Sequence, residues 1–265
     1  MHPGPVFTPV AEAWGAALQR RAASWWHLLC FATVALVLAL SPSTYRRANR
    51  LTMAAHLHRS SWEVLPWFSA LSALLSLVLI HIVLVSALSY GLSRYALEMV
   101  VRVLVLELIP LSAALFVALR TGMVAVVAPG PALLLAPSAL TAPALARLQQ
   151  DLVPRLLAIG FSVLTLAACS SAIALVQAYL MVHGLTLWGL PGFTRTVGHV
   201  FSLSVTLGLG LKTLLFSLAV ALVPMAAALE ARAQTADPNG LQPGAVRLFL
   251  VLLLIEAASL AVKYF

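Results

Sequence analysis

The sequence predicts an all-α integral membrane protein, and three observations carry that prediction. The chain is 62% hydrophobic and only 9% charged, whereas a soluble domain is about 45–50% apolar and about 25% charged. Its mean hydropathy is +1.01. Its apolar runs are long and continuous, without the short polar–apolar alternation of a membrane β-barrel. In lipid every backbone amide needs an internal partner, so such runs are helices. Once they are counted, no stretch remains for a soluble domain, and neither an internal repeat nor a low-complexity tract is visible.

The elements follow in order. A span takes roughly 20 apolar residues. The first run, residues 25–40, is at the short end. It is flanked by Trp25, Trp26 and arginines, stops at Ser41-Pro42, and gives way to a basic stretch with Arg46, Arg47, Arg50 and Arg59. That pattern suits an interfacial or re-entrant elbow helix. No small-x-small cleavage site follows the run, so it reads as a retained segment. Residues 1–60 are thus expected to form a tail and elbow, and residues 61–265 a five-helix membrane domain. Its spans are expected at about 64–88, 96–127, 154–182, 200–229 and 245–264. SYGLSR, at 89–94, is a short link. Residues 128–152 are long and proline-rich, 183–198 contain Gly and Pro, and 230–244 hold the turn signal Asp237-Pro238-Asn239-Gly240.

Arginines set the orientation, because cytoplasmic ends retain positive charge. With the N-terminus inside, Arg20, Arg21, Arg46, Arg47, Arg50, Arg59, Arg120, Arg147, Arg155 and Arg232 fall inside. Arg94, Arg102, Arg195 and Lys263 fall outside. Ten against four favours N-in, C-out. The same balance explains the basic pI of about 10.3 without invoking nucleic acid.

Three ionisable residues lie too deep to reach water easily: Glu107, Lys212 and Glu256. Each such charge costs roughly 2.5–3.5 kcal/mol on insertion scales and therefore finds a partner or a wet cavity. At 1.5 Å per residue they sit about 16, 18 and 12 Å from the outer ends of their spans, heights that allow them to meet. Arg120 lies about 20 Å along the helix from Glu107, too far to pair with it. Pro110 lacks an N–H and frees carbonyls around Leu106 and Glu107. Two readings stay open here: an ion pair that only fixes helix register, or a pathway for polar groups.

Other polar residues carry less. Arg94, Glu98 and Arg102 form an i, i+4, i+8 ladder near the outer surface. His81 reads as a packed histidine of the first span. His56 and His58 have no third ligand nearby, and Cys30 and Cys169 lack metal or redox spacing, so no metal site is expected. No catalytic triad, paired catalytic carboxylates or phosphate loop is visible, so no catalytic residues and no enzyme activity are assigned to the chain.

Residues 106–122, LELIPLSAALFVALRTG, resemble the signature of MlaE-type permeases, the membrane subunits of MCE-associated ABC lipid transporters. Glu107, Leu108, Pro110, Ala113, Ala114, Leu115, Ala118, Arg120 and Gly122 fall on that signature without a gap. GLKTLLFSLAVAL at 210–222 is similar to the family's fourth span, with its lysine at Lys212. VLLLIEAASLAVKYF at 251–265 is similar to the terminal span, with Glu256 where an aspartate is usual. The resemblance implies a multi-pass permease of a bacterial inner membrane, acting on phospholipid as a homo- or heterodimer. It implies a separate cytoplasmic ABC ATPase, which would carry ATP and Mg, and a periplasmic MCE-domain protein. Glu107, Lys212, Glu256, Pro110 and Leu106 would line the substrate pathway. Arg120, Gly122, Arg147 and Asp151 would mark the cytoplasmic coupling end. The chain departs from the family at Leu106, where arginine is common. It departs again at 128–152, where Pro129, Pro131, Pro137 and Pro143 interrupt the coupling helix. The alternative is a non-transporting scaffold or the divergent half of a heterodimer with weakened ATPase coupling.

Overall fold

The computed structural model describes residues 65–91, 93–125, 153–233 and 243–264, together with scattered helical positions between Trp25 and Val37. Those scattered positions aside, the expected elbow of residues 1–60 lies outside the described residues. So does the whole of 128–152, with Arg147 and Asp151. Among the described residues every element is helical. They are α1 (Leu65–Ser89), α2 (Ser93–Val100), a π-helical segment (Val101–Leu108) and α3 (Ile109–Ala125). After these come α4 (Val153–His183), a 3-10 turn (Leu187–Gly189), α5 (Leu190–Val200), α6 (Leu203–Ala233) and α7 (Pro243–Tyr264).

Five helices are long and apolar enough to cross a membrane: α1, the Tyr95–Thr121 rod, α4, α6 and α7. The rod runs unbroken through the π segment, because Val100 and Ile109 on either side keep helical dihedrals. Several helices carry a proline in the first turn: Pro66, Pro154, Pro191 and Pro243. There the missing N–H is one the helix would not have bonded anyway. Pro191 shows the difference between reading a residue as a breaker and as a starter. The stretch 183–198 reads as a connection in sequence, yet it holds the 3-10 turn and most of α5. Gly184, at φ +65°, ends α4 by donating its N–H to the Leu180 carbonyl at 2.9 Å, a left-handed cap that glycine adopts without strain.

The rod is the centre of the bundle. In an 18-residue apolar stretch of the rod 56% of residues are buried, against 11% in the corresponding stretch of α7. Its C-terminal half packs Ala113, Ala114, Val117 and Ala118 against Val163 and Ala167 of α4 and Phe216, Val220 and Val223 of α6. Alanines let helix backbones approach closely where no hydrophobic drive separates lipid from protein. The N-terminal half packs Leu97, Val100, Leu104 and Val105 against Ile80 of α1, Ala174 and Ala178 of α4, and Phe193 of α5. Tyr179 stacks on His183 at 5.3 Å and meets the Phe193 ring edge-on at 5.1 Å, which joins α4 to α5. Between α1 and α4, Gln177 donates to the Ala73 carbonyl at 3.0 Å and accepts from Ser76. His81 corrects the sequence reading: it is exposed on the outward face of α1, not packed.

α7 touches the rest of the bundle chiefly through α6. They lie close together at Gly244, where a Cβ would come within 2.6 Å of the Ala227 Cβ. Two rigid methyl groups cannot share that space, so the helices would have to separate. Gly244→Ala is expected to lower the thermal unfolding midpoint in detergent, at a cost of about 1–3 kcal/mol from overpacking. Followed by tryptophan fluorescence, an unchanged midpoint would mean that this crossing is not a fixed contact.

Candidate functional site

The site is assembled where the rod changes its pitch. Within Val101–Leu108 the hydrogen bonds skip five residues, as in the Ile109 N–H to Leu104 carbonyl bond. Such single-turn widenings re-aim side chains and interrupt the α-helical ladder. Pro110 follows, fully buried. In an α-helix residue 110 would donate to the carbonyl of Leu106, and proline has no N–H to give. That carbonyl instead faces Lys212 of α6, whose Nζ donates to it at 3.3 Å. The Leu106 side chain is buried against Val101 and Val200, so the residue contributes its backbone oxygen to the site and its side chain to the core.

Lys212 is the hub. Its side chain is only 2% exposed. The ammonium donates to Glu107 Oε2 and forms an ion pair with Glu256 Oε2 at 2.8 Å, off the directions of a hydrogen bond. The Phe216 ring lies 5.7 Å away, one turn further along α6, near the limit of a cation–π contact. The structure therefore brings Glu107, Lys212 and Glu256 into direct contact, from the rod, α6 and α7.

A fourth residue joins them. Lys263 Nζ donates to Glu107 Oε1 at 2.8 Å. Sequence reasoning left Lys263 among the charges of the outer ends. The available signal was its spacing from Glu256: seven residues make two turns, which puts both side chains on one face of α7. The four residues form a chain, Lys263–Glu107–Lys212–Glu256, with two formal charges of each sign. Glu107, Glu256 and Lys263 are 17%, 18% and 20% exposed, so the hub is sealed while its partners are partly accessible.

The remaining predicted residues lie elsewhere. Arg120 is partly buried further along α3, and Gly122 is in that helix's last turns, well away from the cluster. Near the N-terminal end of the rod, Arg102 donates to Glu98 at 3.0 Å, one rung of the expected ladder. Beside the rod, a shallow apolar groove runs along α1, with Leu75, Leu79, Leu104, Leu108 and Ile109 in its walls and Ser72, Ser76 and Ser112 in its lining. Among the described residues no group of His, Cys, Asp and Glu has the arrangement of a metal site.

Five membrane-crossing helices around a buried ionic chain set the frame for comparison, and the sequence pattern of the family described as Permease MlaE matches residues 53–262. The chain belongs to the MlaE permease family. It is a multi-pass membrane permease, and the family makes it a transport subunit of an ABC-type system. Comparison with curated proteins and with solved structures gives no significant match. The permease match covers α1 through nearly all of α7, including all four residues of the ionic chain except Lys263, which lies one residue beyond it.

The hub position makes an energetic prediction. Truncating Lys212 leaves the partly buried Glu256 without a cation, beside a Glu107 held by Lys263 alone. Lys212→Leu is expected to cost about 3–5 kcal/mol, the usual penalty for breaking a buried ion pair on one side. Removing both acids as well, in Lys212→Leu/Glu107→Leu/Glu256→Leu, is expected to restore most of that loss. Denaturation in detergent reads both values. A triple variant no more stable than the single one would show that the charges are not energetically coupled.

Proposed function

We propose that this permease moves phospholipid, and that the ionic chain of Glu107, Lys212, Glu256 and Lys263 meets the polar head group while the apolar flank of the rod accepts acyl chains. The observation that carries the reading is a charged cluster retained inside a body otherwise built for lipid. Intramembrane charges are expensive, and they mark pathways by default. The chain fits the membrane subunit of an ABC system whose ATP and Mg reside on a separate cytoplasmic ATPase, with an MCE-domain protein on the periplasmic side. A pair of permease chains, homo- or heterodimeric, in a bacterial inner membrane completes the proposed assembly.

The orientation proposed is N-in, C-out, with the cluster in the outer half of the bilayer. Arg247, in the first turns of α7, adds to the arginines on the inner side. Trp188, 94% exposed in the turn between α4 and α5, suits the outer headgroup level. A second reading has its own support in the prolines of 128–152, which interrupt the expected coupling helix. On that reading the chain is a scaffold, or the half of a heterodimer whose partner engages the ATPase.

Two measurements test these proposals. Reconstituted with its ATPase and MCE partners in phospholipid vesicles, the chain should stimulate ATP hydrolysis in a lipid-dependent way and drive transfer of a fluorescent phospholipid. Failure to form a stable complex, with hydrolysis unchanged when the chain is omitted, favours the scaffold. In a background with Cys30 and Cys169 replaced by serine, Trp188→Cys should react with an impermeant maleimide from outside intact spheroplasts. Asn239→Cys should react only after permeabilisation, and the reverse pattern would invert the topology.

A further inference from the structure

The two lysines of the cluster are not equivalent, and their surroundings assign them different tasks. An ammonium has three N–H donors. Around Lys212 there are three oxygens, from Leu106, Glu107 and Glu256, and almost no exposure. Two of its donors are held by Leu106 and Glu107, Glu256 lies against it as an ion pair, and at 2% exposure it offers almost no surface to a ligand, while moving it strands Glu256. Among the described residues Lys263 has one partner, Glu107 Oε1, and it is 20% exposed. Two of its three donors are therefore uncommitted. It stands in the last turn of α7, where a long flexible stem can carry the charge to the membrane boundary. Glu107 would not be orphaned by a shift of Lys263, because its other oxygen stays on Lys212.

We infer that Lys263, rather than Lys212, is the residue that receives an anionic phosphate group, with Glu107 holding it in position and Lys212 serving as the fixed base of the site. The phosphate occupies the two open donors of Lys263, and the carboxylate of Glu107 keeps the third. This assignment rests on the lipid-permease reading and deepens it by naming the head-group contact. It makes Lys263 a determinant of specificity for lipids that carry a phosphate over those that do not.

The test uses the full chain in detergent micelles, with binding of fluorescent phosphatidylglycerol and of a matching fluorescent diacylglycerol measured side by side. Lys263→Gln is expected to weaken phosphatidylglycerol binding about ten- to hundredfold, as the loss of a hydrogen bond to a charged group does, and to leave diacylglycerol binding and the thermal midpoint unchanged. Lys263→Arg is expected to keep phosphatidylglycerol binding. Inorganic phosphate is added as competitor: displacement at concentrations comparable to the lipid would keep Lys263 as the phosphate receiver and assign the free anion as its ligand. Wild-type phosphatidylglycerol binding by Lys263→Gln, or equal loss of both lipids, overturns the assignment while the lipid reading stands. A wild-type chain that binds neither lipid overturns both.

Discussion

A lysine ammonium held almost completely out of water, in a bundle made for hydrocarbon, is the constraint around which this structure is arranged. Such a charge persists only if oxygens replace its hydration shell. α6 carries Lys212 but supplies none of those oxygens. The rod supplies two, the Leu106 carbonyl and the Glu107 carboxylate, and α7 supplies the third from Glu256. Two otherwise unrelated features serve that arrangement. Pro110 leaves the Leu106 carbonyl without its helical partner. The π segment alters the pitch on which Glu107 is displayed.

Seen this way, the residues of the 106–122 signature separate into different physical tasks. Glu107 and Pro110, with the backbone of Leu106, belong to the ionic cluster. Ala113, Ala114 and Ala118 belong to helix packing, since their small side chains allow α4 and α6 to close on the rod. Arg120 and Gly122 lie toward the other end. One helix thereby connects the charged cluster to a tightly packed C-terminal half.

The cluster is also balanced. Its two lysines and two glutamates alternate along the chain of contacts, so each inner charge lies between opposite ones. Alternation lowers the cost of keeping four ionisable groups in an apolar body. It also concentrates the accessible polarity at the carboxylates and at Lys263, since Lys212 is enclosed. A sealed cation with a more open one two contacts away distinguishes a support from a contact point, a distinction that charge counting alone does not make.

Much of this was legible in the sequence. Five continuous apolar runs are a one-dimensional property, because each spanning helix must satisfy its own backbone, and the structure has five helices long and apolar enough to cross a membrane. The depths of Glu107, Lys212 and Glu256 also follow from counting residues, since helical rise is constant. Where the reading erred or stopped, the deciding term was contact between segments. His81 gave no sign of which way α1 would turn, and Pro191 gave no sign that it would begin a helix packed through Phe193. Lys263 was assigned to the outer end because position along the chain says how high a residue sits but not which neighbour it faces. The sequence alone determined membrane residence, helix number and the height of the buried charges, all set by local backbone and solvation physics. Tertiary structure alone decided that Lys212 is the enclosed hub and Lys263 the open arm, because those roles depend on where three separate helices place their oxygens around each ammonium.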